Sequence, residues 1–362
     1  MSTPSAHPYL FYEAIQQQPD RIAKFLSTRR ALVEEAAAAA APRHRIVLLG
    51  IGSSHHAAQI GEYFLRHFNR ASTAIAEQSF EQVHYPRGFH PNDIAIFLSH
   101  RGTNNHTMQA MTAARTAGAF TLGICCDPPS PDMLGADFAI PTCELETCFV
   151  HTKAYTTALA ALALFAVALI AHRKQIDPAD GAGATASLHR LPDLIRQTLT
   201  LEPQLRDAAK IIAKRDRWIF IGTGPNWATA REGALKVKES SYIAAEGFQT
   251  EQFLHGPLSE HDSRAVLTAF LAGGPGDYRT HAALKAAGAV GAFRVAIVTR
   301  GAASDVPAEL VFEVPEIAEW LSPFLHVIPV QLLSYFIALE RGANPDTGRF
   351  HEPAHAAAQK LL

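Results

Sequence analysis

An α/β chain of two tandem, mainly parallel-sheet domains is what this 362-residue sequence predicts. Three observations lead there. Apolar strand-like runs alternate with helical segments, the pattern of βαβ units. A strand that ends in Gly-x-Gly and enters a helix occurs twice, at 46–61 and 218–233, with later matches in the same order. Hydrophobic residues make up 48% of the chain and charged residues 18%, a globular balance with room for large cores.

The elements follow in order. Residues 1–45 read as helices, in which Tyr12, Ile15, Ile22, Phe25 and Leu26 mark an apolar stripe broken at Pro19. The first domain is expected over 46–173, with strands at 46–49, 72–76, 93–98, 120–125 and 138–141. Its apolar segment at 154–171 is long enough to consider as a membrane span. Thr156, Thr157 and the many alanines fit a buried core or interface helix better. A helical connection covers 174–213, and the second domain covers 214–341. There Gly222, Gly224 and Gly233 match Gly50, Gly52 and Gly61 at one offset. Near that offset Ala269-Phe270-Leu271 matches Ile96-Phe97-Leu98, and Val295-Ala296-Ile297 matches Leu122-Gly123-Ile124. The apolar helix has its counterpart at 324–339. Residues 342–362 form a tail.

Composition excludes several classes of function. A formal net charge of −2 and the lack of a basic run argue against nucleic acid and against a membrane surface. Cys125, Cys126, Cys143 and Cys148 have no scaffold-like spacing, so reduced thiols in a cytoplasmic protein are expected. The start of the sequence lacks the charged-then-apolar pattern of a signal peptide. The 18 histidines are scattered, with no pair near Cys or Asp at zinc-site spacing, so no metal is assigned.

Glycines after a strand let the backbone approach a ligand, and the following helix N-terminus attracts an anion. Neither copy completes G-x-G-x-x-G, because His55 and Trp227 stand at the third position, and Glu77 comes late for a ribose contact. A nicotinamide cofactor is therefore not expected. A second loop, Ser99-His100-Arg101-Gly102-Thr103-Asn104, offers hydroxyls, a forked cation and exposed amides at a strand end, which suits an oxyanion. A helix N-cap beside a solvated arginine is the alternative reading.

The most informative stretch is 231–259. Glu232, Lys236 and Glu239 share one helix face, over an apolar surface of Ala234, Leu235, Val237, Tyr242 and Ile243. Gly256 and Pro257 then fix a turn that presents His255. A carboxylate, an amine and an imidazole can move protons at a carbon beside a carbonyl. A charged helix face with i,i+4 pairing followed by a loop histidine is the alternative.

These motifs resemble the tandem sugar-isomerase (SIS) family, and in particular the isomerase half of glutamine–fructose-6-phosphate aminotransferase and related aminosugar-phosphate deaminases. The resemblance runs over nearly the whole chain. It rests on Glu13–Pro19, the 152–157 run from Thr152, the 232–239 run E-G-A-L-K-V-K-E, His255-Gly256-Pro257-Leu258 and the 329–335 run. It implies doubly wound, flavodoxin-like sheets, a phosphorylated-sugar substrate, no cofactor and a homodimer in which His255 approaches the partner's pocket. By position Ser53, Ser54, Ser99, His100, Arg101, Asn104, His151 and Thr152 would bind the substrate and its phosphate. Glu239 would be the base of an enediol step, Lys236 its proton-handling neighbour, and His255 the ring-opening residue. The tail would lie over the active site.

Departures from the family pattern sharpen these expectations. The phosphate loop commonly reads S-Q-S-G-E-T, so Arg101 and His100 should make this pocket more cationic and more crowded. His151 stands where a serine is usual. Pro353 stands where the family has a lysine able to form a Schiff base, and Lys360 is the one later lysine. The resemblance to the isomerase half alone implies that free ammonia, not glutamine, is the nitrogen partner. A phosphosugar-binding regulator without catalysis is the second class that fits.

Overall fold

Helices α1 (Leu10–Thr28) and α2 (Arg30–Ala40) open the chain in a computed structural model that describes residues 6–69 and 73–361. The break expected at Pro19 is not there, and α1 runs through it. The missing amide costs about 3 kcal/mol. Ile15, Ile22, Phe25 and Leu26 are each at most 2% exposed, and their burial contributes about 1.5–3 kcal/mol apiece, which outweighs that cost.

The chain divides into two compact units. The first comprises Gln18–Leu145 and Lys153–Leu194. The second comprises the residues up to Gln17, Glu146–Thr152 and the chain from Ile195 onward. The first unit holds β1 (Arg45–Gly50), α3 (Ser53–Phe68), β2 (Ala74–Gln78), α4 (Ser79–His84), β3 (Asp93–Leu98), α5 (Asn105–Thr116), β4 (Phe120–Asp127), β5 (Phe138–Glu144) and α6 (Lys153–His172). Its parallel sheet has the order β2-β1-β3-β4-β5. Of the strand expected at 72–76, residue 72 lies outside the described residues.

Helix α7 (Pro178–Leu199) leads to α8 (Glu202–Ile212), β6 (Arg217–Gly222), α9 (Asn226–Ser241), β7 (Ala244–Gln249) and α10 (Thr250–Leu254). Then come β8 (Ala265–Leu271), α11 (Asp277–Ala289), β9 (Phe293–Thr299), β10 (Leu310–Val314), α12 (Pro323–Glu340) and α13 (Pro353–Gln359). The second sheet runs β10-β9-β8-β6-β7, which is the first sheet's order read from its other edge. In each sheet the chain therefore leaves its first strand toward one edge and returns to pair on the other side. That reversal opens a crevice at the carboxyl ends of the central strands, where ligands of open α/β sheets bind.

The two glycine turns use the same close approach. A Cβ on Gly50 would lie 2.6 Å from the Ser54 carbonyl carbon, and one on Gly222 would lie 2.3 Å from the Asn226 carbonyl oxygen. Only glycine lets each helix begin directly against its strand. One expected match slips. Leu49 pairs with Phe97 and Ile221 with Ala269, so Ala269 corresponds to Phe97 and not to Ile96. A one-residue slip exchanges the two faces of a strand, so the correction changes which side chains meet the core. Leu122 and Val295 do occupy corresponding rungs, opposite Ile96 and Thr268.

Helices α6 and α12 are each long and apolar enough to cross a membrane, yet both are buried inside the protein as core helices. The four cysteines are free and buried.

Candidate functional site

Helix α9 is amphipathic in sequence but buried nearly all round. Glu232 and Lys236 have no exposed surface. The i,i+4 pairing of the alternative reading is present, but it is made in the interior and not on a solvated face. The Lys236 ammonium lies 3.2 Å from Glu232 Oε1 and 2.8 Å from Glu239 Oε2, and it donates to the His151 carbonyl at 3.0 Å. Burial lowers its pKa, but the Glu232 and Glu239 charges outweigh burial and raise it overall. Lys236 is thus held between two carboxylates that favour its charged form. Burial raises the Glu239 carboxyl above its ordinary range; Lys236 opposes that rise, while the Glu232 and Glu146 charges add to it. A partly open carboxylate with raised basicity is a serviceable general base.

Glu146 has no place in the sequence reading. It is 1% exposed, and its Oε1 accepts from the Thr152 amide at 2.9 Å and the Thr152 hydroxyl at 3.1 Å. Thr152 is itself fully buried, so its hydroxyl serves this carboxylate in the structure described. The only sequence signal was an acidic residue just before Thr152.

Glu239 opens into a cavity of about 510 Å³, walled also by Phe149, Lys238, Tyr242, Gly348, Arg349 and His355. Tyr242 ends α9 in the left-handed region, at φ 59°. Its hydroxyl donates to the Asn344 carbonyl and accepts from the Arg349 amide, both at 3.1 Å. The Arg349 guanidinium lies over the Tyr242 ring, 5.1 Å from its centre, and forks onto Glu352 at 2.9 and 2.8 Å. Asp346 anchors the same tail by accepting from the Leu10 and Phe11 amides at the start of α1. His355, two residues past Pro353, brings an imidazole to the cavity wall.

His255 is not among the residues lining that cavity. Gly256, at φ 134°, turns the chain sharply after α10, and the His255 side chain is 71% exposed, with Nε2 3.2 Å from Glu251 Oε1. Glu251 in turn pairs with Arg279.

The other expected binding residues lie in the first unit. Ser53 and Ser54 are half-buried at the N-terminus of α3. Ser99 is nearly buried, and its carbonyl accepts from the Gly102 amide at 2.9 Å. Asn104 caps α5 by accepting from the Thr107 amide, and Arg101 is exposed. The Asn104 cap matches the alternative reading, while an exposed Arg101 fits either reading. His100 corrects the cationic expectation. Burial, then the Arg101 and Lys153 charges, push its pKa down to about 4 against Glu144, so it is neutral at pH 7. Lys153 and Arg21 both hold Glu144, and against burial they pull it down to about 2.

Comparison with known proteins supplies the family. The SIS domain profile matches residues 41–168 and 211–341. A glutamine–fructose-6-phosphate aminotransferase [isomerizing] of Pyrococcus horikoshii is 30% identical over 84% of this chain and 50% of its own length. The chain thus spans about half the length of such curated relatives. Among solved structures, the C-terminal domain of glucosamine-fructose-6-phosphate aminotransferase from Francisella tularensis superposes with a TM-score of 0.86. It shares 22% identity and covers 95% of this chain and 99% of its own. A glucosamine-6-phosphate deaminase from Thermotoga maritima gives a TM-score of 0.71 at 20% identity, covering 93% and 97%. At these identities the superpositions establish the fold, two parallel sheets flanked by helices. Matched twice, over most of its length, the chain belongs to the SIS domain family.

Proposed function

We propose that the chain acts on a phosphorylated sugar, an aminosugar phosphate above all, as an isomerase or deaminase working through an enediol or enolamine. The observation that carries this reading is the buried Glu232–Lys236–Glu239 run, with Glu239 alone of the three opening into a cavity. Glu239 takes the proton from the carbon beside the carbonyl and returns it to the neighbouring carbon. Lys236 fixes the carboxylate that does so and keeps a positive charge beside it. Ser53, Ser54, Ser99 and Arg101 supply the hydroxyls and guanidinium for an anion. His255, exposed and away from the cavity of its own chain, is assigned to the pocket of a second copy in a homodimer. No step in this scheme calls for a cofactor.

Pro353 in place of the family's lysine favours a second reading, a phosphosugar-binding regulator without turnover. One measurement separates the two. The wild-type chain is incubated in deuterated water with a panel of sugar phosphates, and exchange at the carbon beside the carbonyl is followed by NMR. Exchange with one member supports the enzyme, whereas binding without exchange across the panel supports the regulator.

A further inference from the structure

Six residues in the second unit form a linked chain. The Glu146 carboxylate accepts from both the amide and the hydroxyl of Thr152, and the Cys148 thiol lies 3.6 Å from the same oxygen. The residue before Thr152, His151, gives its carbonyl to Lys236, and Lys236 gives its ammonium to Glu239. Segment 146–152 is thus pinned at one end by a buried carboxylate, and at the other it fixes the cation on which Glu239 rests. We infer that Glu146 is a positioning residue for Glu239: it clamps this segment so that Lys236 stays between its two carboxylates, and its negative charge bears on Glu239. The inference rests on the reading of Glu239 as the base.

The electrostatics are consistent with the geometry. The charged and titratable groups around Glu239 are Glu232, Lys236, Lys238 and Tyr242 on and after α9, Glu146 and Cys148 on the pinned segment, and Arg349 and His355 on the tail. Among those acting on Glu239, the charges of Glu232 and Glu146 both resist its ionisation, whereas Lys236 favours it. The Cys148 thiol is pushed well up, first by burial and then by Glu146, so it does not carry a competing thiolate near neutrality. A more basic Glu239 abstracts a carbon-bound proton faster once ionised, at the cost of an acidic limb that begins at higher pH.

The test uses two substitutions. Glu146→Gln keeps an oxygen to accept from Thr152 and removes the charge, while Glu146→Ala removes both. Two readouts are taken on the full chain: the pH profile of substrate proton exchange, and the titration of Glu239 by carbon NMR of labelled glutamate. The Glu239 signal is assigned by its loss in Glu239→Gln. Expected for Glu146→Gln are a lower midpoint in both readouts and a plateau exchange rate reduced severalfold. Glu146→Ala should lower the plateau further. A folded Glu146→Gln with both midpoints unchanged overturns the inference, whatever the alanine variant does. If the wild type exchanges no sugar phosphate, the reading of Glu239 as base fails, and the carboxyl titration still decides whether Glu146 acts on it.

Discussion

The loop after β3 and the loop after β8 occupy the same place in their sheets and are built to opposite ends. In the first, Asn104 turns forward to cap α5, and among the described residues no carboxylate meets Ser99 or Gly102, whose own contact is amide to carbonyl. In the second, Asp277 at the start of α11 turns back, accepting from the Gly273 amide at 2.7 Å and from Thr223 Oγ1 at 3.4 Å. Glu319 packs so closely that a Cβ on Gly274 would lie 1.9 Å from its Oε1. Burial raises the pKa of both acids, and the Asp277 charge adds to the rise at Glu319. The second loop has answered its own amides with carboxylates. The first loop is the proposed anion site, and the candidate base of the second unit stands on α9.

Four experiments test this division, in falling order of expected effect. Glu239→Gln should reduce substrate proton exchange by about 10²–10⁴-fold, the usual worth of a general base, with sugar-phosphate affinity nearly intact. Affinity lost in parallel with exchange would move Glu239 from chemistry to binding. Lys236→Met leaves two carboxylates facing each other in the interior, and urea unfolding should show a loss of about 3–5 kcal/mol. A loss below 1 kcal/mol would mean that water reaches this cluster freely.

Arg101→Ser should weaken the binding of inorganic phosphate, read by calorimetry, by about 1.5 kcal/mol. That is the low end for a hydrogen bond to a charged group, because the side chain is exposed. Asp277→Asn should create no phosphate affinity, since Glu319 still occupies the second loop. Equal binding in wild type and Arg101→Ser would leave Arg101 a solvated loop residue. The smallest effect concerns pH. Asp277 titrates above its ordinary 3.8 when folded, so its contribution to stability is complete below that value and is lost as pH rises through the folded pKa. Asp277→Asn should therefore flatten the fall in urea midpoint as the solution is taken from acid toward neutral. An unchanged slope would show that its amide contacts already offset the burial.

The glycine turns, the run on α9 and the buried helices were legible in the sequence because local chemistry dictates them: a Cβ that cannot fit, a face at helical spacing, an unbroken apolar run. Strand β7 was not. Its A-A-E-G-F-Q has no β-branched residue, and it is a strand because it pairs along the free edge of β6. Pro19 misled for the converse reason, since tertiary burial overrode a local breaker. Glu146 was missed because neither its burial nor its proximity to α9 can be read from the residues around it. Its meaning comes from Thr152 and from the charges on α9, placed there by packing between distant segments. His100 shows the same limit, because the residue type was evident while the burial that keeps it neutral was not.

Asp346 carries one more consequence. It holds the first amides of α1 across more than three hundred residues of chain, and Tyr335 holds His7 and the Tyr9 amide in the same way. The unit that contains Glu239 is assembled from pieces made before, within and after the other unit. A ribosome therefore releases the opening turn of α1 long before its cap exists. That turn must wait for its partner until residue 346 has left the exit tunnel, whereas the first unit, interrupted only at 146–152, can begin to fold on the way.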